Sequence, residues 1–140
     1  MKRLLENFAM SMREGRDTQG VVKVVFIDNS GKALILKRSG KVVSKASPWE
    51  WDLPGGHIEH EEKKIDALAR EVFEETKMRF EKAKRIYAQD KTTFFVCRDF
   101  AGEPRLSNEH EEFKWVEPEE VTNYNIGHKY ETAIKRALAI

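Results

Sequence analysis

Residues 55–78 read GGHIEHEEKKIDALAREVFEETKM, and the reading of this stretch decides the fold. Ile65, Leu68 and Val72 point within roughly 60° of one another at 100° per residue, so the spacing predicts a helix over 62–76. Glu71, Glu74 and Glu75 stand at i, i+3 and i+4 and share one face of that helix. Their directions span roughly 100° and border the apolar stripe. Like charges so placed repel by about 0.2–0.5 kcal/mol in water, and by more where they are partly buried. A hard divalent cation is the natural partner, since Mg²⁺ takes oxygen ligands from a few carboxylates, waters and substrate phosphates. An acidic helix face alone is most often a solvated surface. The surrounding spacing changes that reading. Gly55-Gly56 lets the backbone approach a ligand closely, Glu62 lies six residues after Gly56, and Arg70-Glu71 follows after seven intervening residues.

The segment resembles the signature of the Nudix hydrolase family, G-x5-E-x7-R-E-U-x-E-E-x-G-U, where U is a bulky apolar residue. Gly56, Glu62, Arg70, Glu71, Val72, Glu74, Glu75 and Met78 stand at its positions with the gaps intact. Lys77 stands where the family has glycine. That glycine resembles a helix C′ residue in the left-handed region, where another residue costs about 1–2 kcal/mol. Lys77 is therefore expected to affect stability rather than chemistry. The flanks agree: Trp51-Asp52-Leu53-Pro54 before the glycines, and residues 109–116, EHEEFKWV, both look like Nudix segments.

The resemblance implies an α+β fold, a mixed β-sheet packed between α-helices as an α/β/α sandwich. It implies hydrolysis of a nucleoside diphosphate linked to another group X, with water attacking a pyrophosphate phosphorus. Carried over by position, Glu71, Glu74, Glu75 and the Gly55 carbonyl look like ligands of Mg²⁺, with Mn²⁺ as the alternative. Arg70 would orient Glu71, and Glu62 would fix the loop or reach a metal through water. Glu109 is the first candidate for the general base and Glu112 the second. Gly56, His57, Glu62 and Trp49 are the candidate substrate contacts, Trp49 by stacking on a base. The markers of members that cleave NADH, ADP-ribose or coenzyme A are missing: Thr92 and Thr93 stand where the ADP-ribose members carry proline, for example. Phe94 and Phe95 stand where dinucleoside polyphosphate members tend to show tyrosine. The expected substrate is a nucleoside triphosphate or a dinucleoside polyphosphate. The alternative is a Nudix-fold module that binds a nucleotide without turning it over.

Outside this segment, residues 21–28 (VVKVVFID) and 33–37 (ALILK) read as strands. With the Asn29-Ser30-Gly31 turn between them they suggest a hairpin. Residues 39–48 read as an exposed loop. Residues 83–89 and 92–98 are expected strands joined by a turn at Asp90-Lys91, and 113–116 a short strand. Pro118 suits the first turn of a brief helix through Val121, and 128–139 read as a closing helix. Residues 1–19 are expected to be an N-terminal arm or short helix, and 20–140 the Nudix-like domain.

Composition sets the outer limits. Phe, Leu, Ile and Val make 34 of 140 residues, enough for a core, and 25 basic against 24 acidic residues leave a net charge of +1. That balance gives no basic stripe for nucleic acid, so the expected partner is a small nucleotide, with a capped RNA end as the one exception. No apolar run approaches the roughly 18 residues of a membrane helix. No signal peptide is expected, because no apolar stretch follows the basic start. The single Cys97 excludes an internal disulfide framework, and a cytoplasmic location is the expectation. Cys97 reads as a buried, inert thiol within an apolar strand. The histidines show no zinc-ligand spacing. His60, His110 and His128 read as surface residues.

Overall fold

The computed structural model describes residues 20–40, 43 and 48–140. The expected N-terminal arm, and residues 41, 42 and 44–47 of the expected 39–48 loop, lie outside the described residues. Nine strands and two α-helices follow in the order β1 (Val21–Phe26), β2 (Ala33–Arg38), β3 (Trp51–Asp52), β4 (Gly55–His57), α1 (Lys64–Thr76), β5 (Arg79–Phe80), β6 (Lys84–Gln89), β7 (Thr92–Cys97), β8 (Phe100–Ala101), β9 (His110–Val116) and α2 (His128–Leu138), these being the elements among the described residues. A short 3₁₀ helix, Pro118–Asn123, precedes α2 and is closed by reciprocal bonds between Glu117 and Glu120. No helix among the described residues is long and apolar enough to cross a membrane.

The strands form a mixed four-stranded sheet, β4-β1-β7-β6, a three-stranded sheet, β3-β2-β9, and a small β5-β8 ladder. The hairpin expected over 21–37 is not formed. β1 runs parallel to β7 and antiparallel to β4, while β2 pairs with β3 and β9. One bridge, Ile27 to Ala33, joins the two strands where the chain turns. The reason lies in their composition. Val22, Val24 and Phe26 face one side of β1 while Val25 and the following Ile27 face the other, and all are buried. Leu34 and Leu36 likewise oppose Ala33 and Ile35 on β2. A strand apolar on both faces belongs in the middle of a covered sheet. Each therefore takes the centre of its own sheet, and the Asp28 carboxylate, accepting from the Ser30 and Lys32 amides, shapes the corner between them.

Two apolar clusters result, one per face. Val22, Val24 and Phe26 pack with Leu68 and Val72 of α1. Val25, Ile35, Phe94 and Val96 pack with Ala133, Ile134 and Ala137 of α2. The helix expected over 62–76 begins at Lys64, and the chain before it is held by Glu62, whose carboxylate accepts from the Glu59 amide. The turn at Asp90-Lys91 is present, with both residues in the left-handed region, the conformation that suits the twist of a two-residue hairpin. The last strand starts earlier than expected, at His110, so Glu111 and Glu112 belong to β9 rather than to a loop.

Lys77 ends α1 with φ 64° and ψ 10°. The side chain lies over the Phe73 ring, 5.1 Å from its centre, which offsets part of the left-handed cost. Lys77→Gly is expected to raise stability by about 0.5–1 kcal/mol, read as an increase of about 3 °C in the melting temperature. A fall would show that the contact with Phe73 outweighs the backbone strain.

Candidate active site

The corner between β3 and β4 brings the chain against both β1 and α1, and a glycine makes each approach possible. Gly55 has φ +136°, and a Cβ there would collide with the Val22 carbonyl. A Cβ on Gly56 would land in the Glu71 carboxyl group. The strand thus lies flat against the helix face that carries the glutamates. A cleft of about 380 Å³ opens at this contact, with Gly55, Gly56, Glu71 and Glu75 at one end and Trp49, Glu109 and His110 among the residues lining the rest.

Glu75 occupies the next position of the stripe formed by Leu68 and Val72, and it is buried with them. Its Oε1 accepts the Gly55 amide proton at 3.0 Å. Burial pushes its carboxyl up to about 8, against the opposing pull of the Lys23 charge and the Gly55 amide. Glu71 is also raised by burial, with Arg70 acting the other way. Arg70 organises the outer side. Its Nε and Nη2 donate to both oxygens of Glu62 at 2.9 and 3.0 Å, Nη2 also donates to the His57 carbonyl at 3.0 Å, and Nη1 donates to Glu71 at 3.1 Å. The fork-shaped bond from Arg70 holds the Glu62 carboxyl below its usual range. Arg70 also reaches Glu74 at 3.4 Å, but that side chain remains 57% exposed.

The structure therefore brings Glu71, Glu75, Gly55 and Gly56 to one place, and leaves Glu74 on the open side of α1. Among the described residues no three His, Cys, Asp or Glu side chains converge closely enough to hold a metal ion by themselves. The donors at the inner end are hard oxygens: two carboxyl groups, one of them buried and held up by desolvation, and the neighbouring carbonyl of Gly55. That set suits a hard divalent cation, which would favour the ionised form that burial opposes. Glu109 is exposed and lines the cleft, whereas Glu112 is exposed further along β9, opposite Lys37. His57 lines the cleft at the surface. Trp49 is 43% exposed, also lines the cleft, and has Gly127 beside its ring. Trp115 stacks on Phe100 with ring centres 5.7 Å apart, away from this cleft. Cys97 is buried, and burial raises its thiol, as an inert position requires.

Sequence reasoning missed a cluster of buried and half-buried polar side chains, Lys23, Asp52, His110 and Tyr130, that itself lines the cleft. Lys23 of β1 donates to Asp52 at 3.2 Å, to the Leu53 carbonyl at 3.0 Å and to the Gly55 carbonyl at 3.3 Å. Burial alone would raise the Asp52 carboxyl, but the Lys23 ammonium brings it down to about 2. His110, expected at the surface, is instead buried, with Nε2 3.6 Å from the Asp52 carboxylate and Nδ1 without a hydrogen-bond partner among the described residues. The cause is the early start of β9, which places His110 opposite Arg38 in the sheet. Tyr130 of α2 closes the cluster, its phenol raised by burial. The one signal in the sequence was Lys23 itself, a lone charge inside VVKVVF.

The raised Glu75 carboxyl links stability to pH. In the metal-free protein the folded state keeps this proton up to about pH 8, while the unfolded chain releases it near the ordinary value of about 4.3. The stabilisation is full below that lower value and is lost as pH rises toward 8, at up to about 1.4 kcal/mol per pH unit. Urea unfolding in chelator at pH 5, 6.5 and 8 should show the parent losing stability relative to Glu75→Gln, which retains an oxygen for the Gly55 amide. Parallel curves would mean that Glu75 carries no such proton.

The NUDIX domain family model matches residues 17–136. A MutT-like protein of Streptomyces ambofaciens is 31% identical over 97 residues, which is 64% of this chain and 63% of that protein, so less than two thirds of that relative is spanned. The MutT protein of Methanosarcina mazei Go1 superposes with a TM-score of 0.61 at 24% identity, over 84% of this chain and 90% of that one. The MutT NUDIX hydrolase of Burkholderia pseudomallei gives 0.66 at 21%, over 83% and 95%. An Ap4A hydrolase of C. elegans gives 0.61 at 20%, over 85% and 94%. At these identities the solved structures share the fold, and the family model covers the cleft and both helices: the chain belongs to the NUDIX domain family.

Proposed function

We propose that the protein hydrolyses a nucleoside diphosphate linked to a further group, with a divalent cation, and that its substrate is a nucleoside triphosphate or a dinucleoside polyphosphate. The observation that carries this reading is the carboxyl pair Glu71 and Glu75 pressed against Gly55-Gly56 at the end of an open cleft. The fold likeness to MutT proteins and to an Ap4A hydrolase supports the substrate class.

In this reading Glu71, Glu75 and the Gly55 carbonyl would hold Mg²⁺ or Mn²⁺, with Glu74 at the exposed edge. The bound cation would neutralise phosphate charge and acidify the attacking water. The chain supplies the rest. Arg70 fixes Glu71 through its 3.1 Å bond and anchors the loop through Glu62 and the His57 carbonyl. Glu109, which lines the cleft, would take a proton from water, and Glu112 is the reserve candidate. Gly56 and His57 meet the phosphates, while the exposed indole of Trp49 offers a face for the base.

A panel of triphosphates, dinucleoside polyphosphates, ADP-ribose, NADH, FAD and capped RNA, assayed with Mg²⁺ or Mn²⁺ and with excess EDTA, tests this. Turnover is expected on the first two classes and only with a cation. Glu75→Gln should fold and lose about 10²–10³-fold in rate, the order seen when one preorganised electrostatic contact is removed. Undiminished turnover in EDTA, or near-parental turnover of the variant, would overturn the proposal. Tight binding of a nucleotide without hydrolysis would establish the binding module instead.

A further inference from the structure

Lys23 is costly to keep where it is. Desolvating an ammonium and a carboxylate costs several kcal/mol per ion, and apolar residues of similar volume often serve stability as well as a buried pair does. Stability alone therefore does not account for a lysine at the centre of an apolar strand. Its three donors identify another task. One goes to Asp52, which fixes the charge in place. The other two go to the backbone carbonyls of Leu53 and Gly55. Lys23 and Gly55 are direct partners in the β1–β4 ladder, so the ammonium grips the turn at its own register position. The grip has a counterpart on the other side of the same residue, where the Gly55 amide donates to Glu75. Gly55 is thus held at both its carbonyl and its amide. As a glycine at φ +136° it has no side chain of its own to resist rotation.

We propose that Lys23 is a positioning residue, setting the orientation of the Gly55 peptide so that its carbonyl and Glu75 face the cation together. The inference rests on the metal-dependent reading above and adds a residue outside the signature segment. Lys23 is itself part of the cleft lining, but its donors go to Asp52 and to the Leu53 and Gly55 carbonyls, so in this scheme it binds neither substrate nor metal directly. It acts through Gly55, as outer partners of ligands do, whose loss usually costs about 10–100-fold in metal affinity or activity.

Two variants separate positioning from mere support. Lys23→Arg keeps the charge and the Asp52 pair, but its planar fork cannot place one nitrogen between the Leu53 and Gly55 oxygens. Lys23→Met/Asp52→Leu removes the pair as a neutral unit, so the net charge near the cation is unchanged. The readouts are the metal-free melting temperature, the Mg²⁺ concentration giving half the thermal shift, and kcat and KM. Both variants should fold, need about 10-fold or more Mg²⁺ for half the shift, and lose about 10-fold or more in kcat while KM moves little. In the parent, the ¹⁵N resonance of the Lys23 Nζ should move along the Mg²⁺ titration with the same midpoint as the thermal shift, a measurement that needs no variant to fold. A folded variant with the parental Mg²⁺ midpoint, or an unmoved Lys23 resonance, overturns the inference and leaves the metal reading standing. A parent with neither Mg²⁺ shift nor turnover overturns both.

Discussion

The close approach of the Gly55–Gly56 strand to helix α1 is the contact on which the rest of the molecule depends. It requires a position without a Cβ at Gly56, where the Glu71 carboxyl is in the way, and a second at Gly55, where Val22 of the neighbouring strand β1 is. It also requires a helix that tolerates a carboxyl group in its apolar stripe. Glu75 meets that condition by taking the Gly55 amide as a partner, which satisfies a buried polar group that would otherwise be costly. Fold and site are therefore the same contact. The residues that bring β4 against α1 are the residues that line the inner end of the cleft.

Around this contact the charges are arranged in two shells with different physics. On the solvent side, Arg70 spreads one guanidinium over Glu62, Glu71, Glu74 and a carbonyl, and water screens the repulsion that remains. On the inner side Lys23 and His110 are buried against the Asp52 carboxylate, with the Tyr130 ring beside Lys23. The two shells meet at Gly55 and Glu75. Burial raises the Glu75 carboxyl more than Lys23 draws it back, so the proton is retained well above the ordinary carboxylate range.

The local elements were legible because their patterns are local. The helical spacing of Leu68 and Val72, the β-branched run 21–28 and the turn at Asp90-Lys91 each declare themselves within a short window. Strand pairing was not legible in the same way. β1 and β2 look like a hairpin because they are neighbours in sequence, yet apolar residues on both faces send each to the centre of a different sheet. The signature segment made Glu71, Glu75 and Arg70 legible as a group, since their spacing on one helix fixes their proximity. Lys23, Asp52 and His110 come from three separate strands, and only the tertiary fold brings them together. Even so, Glu75 interrupting an apolar stripe and Lys23 interrupting an apolar strand are the same kind of signal, a charge where the pattern calls for a hydrophobe.

The parallel pairing of β1 with β7 also governs how the molecule comes into being. Val21 pairs with Thr92, so half the chain must close on itself before the central ladder exists. Such closure is paid in chain entropy before any contact rewards it, and folds of this kind form slowly. A nascent chain leaving the ribosome exposes β1, the glycine pair and the acidic helix well before β7 is available to cover the open edge of β1. During that interval β1 is a bare, strongly apolar edge of the kind that pairs with other chains. The lysine in its middle then has a second consequence: a charge within VVKVVF makes the unpaired strand a poorer template for aggregation while it waits for its partner.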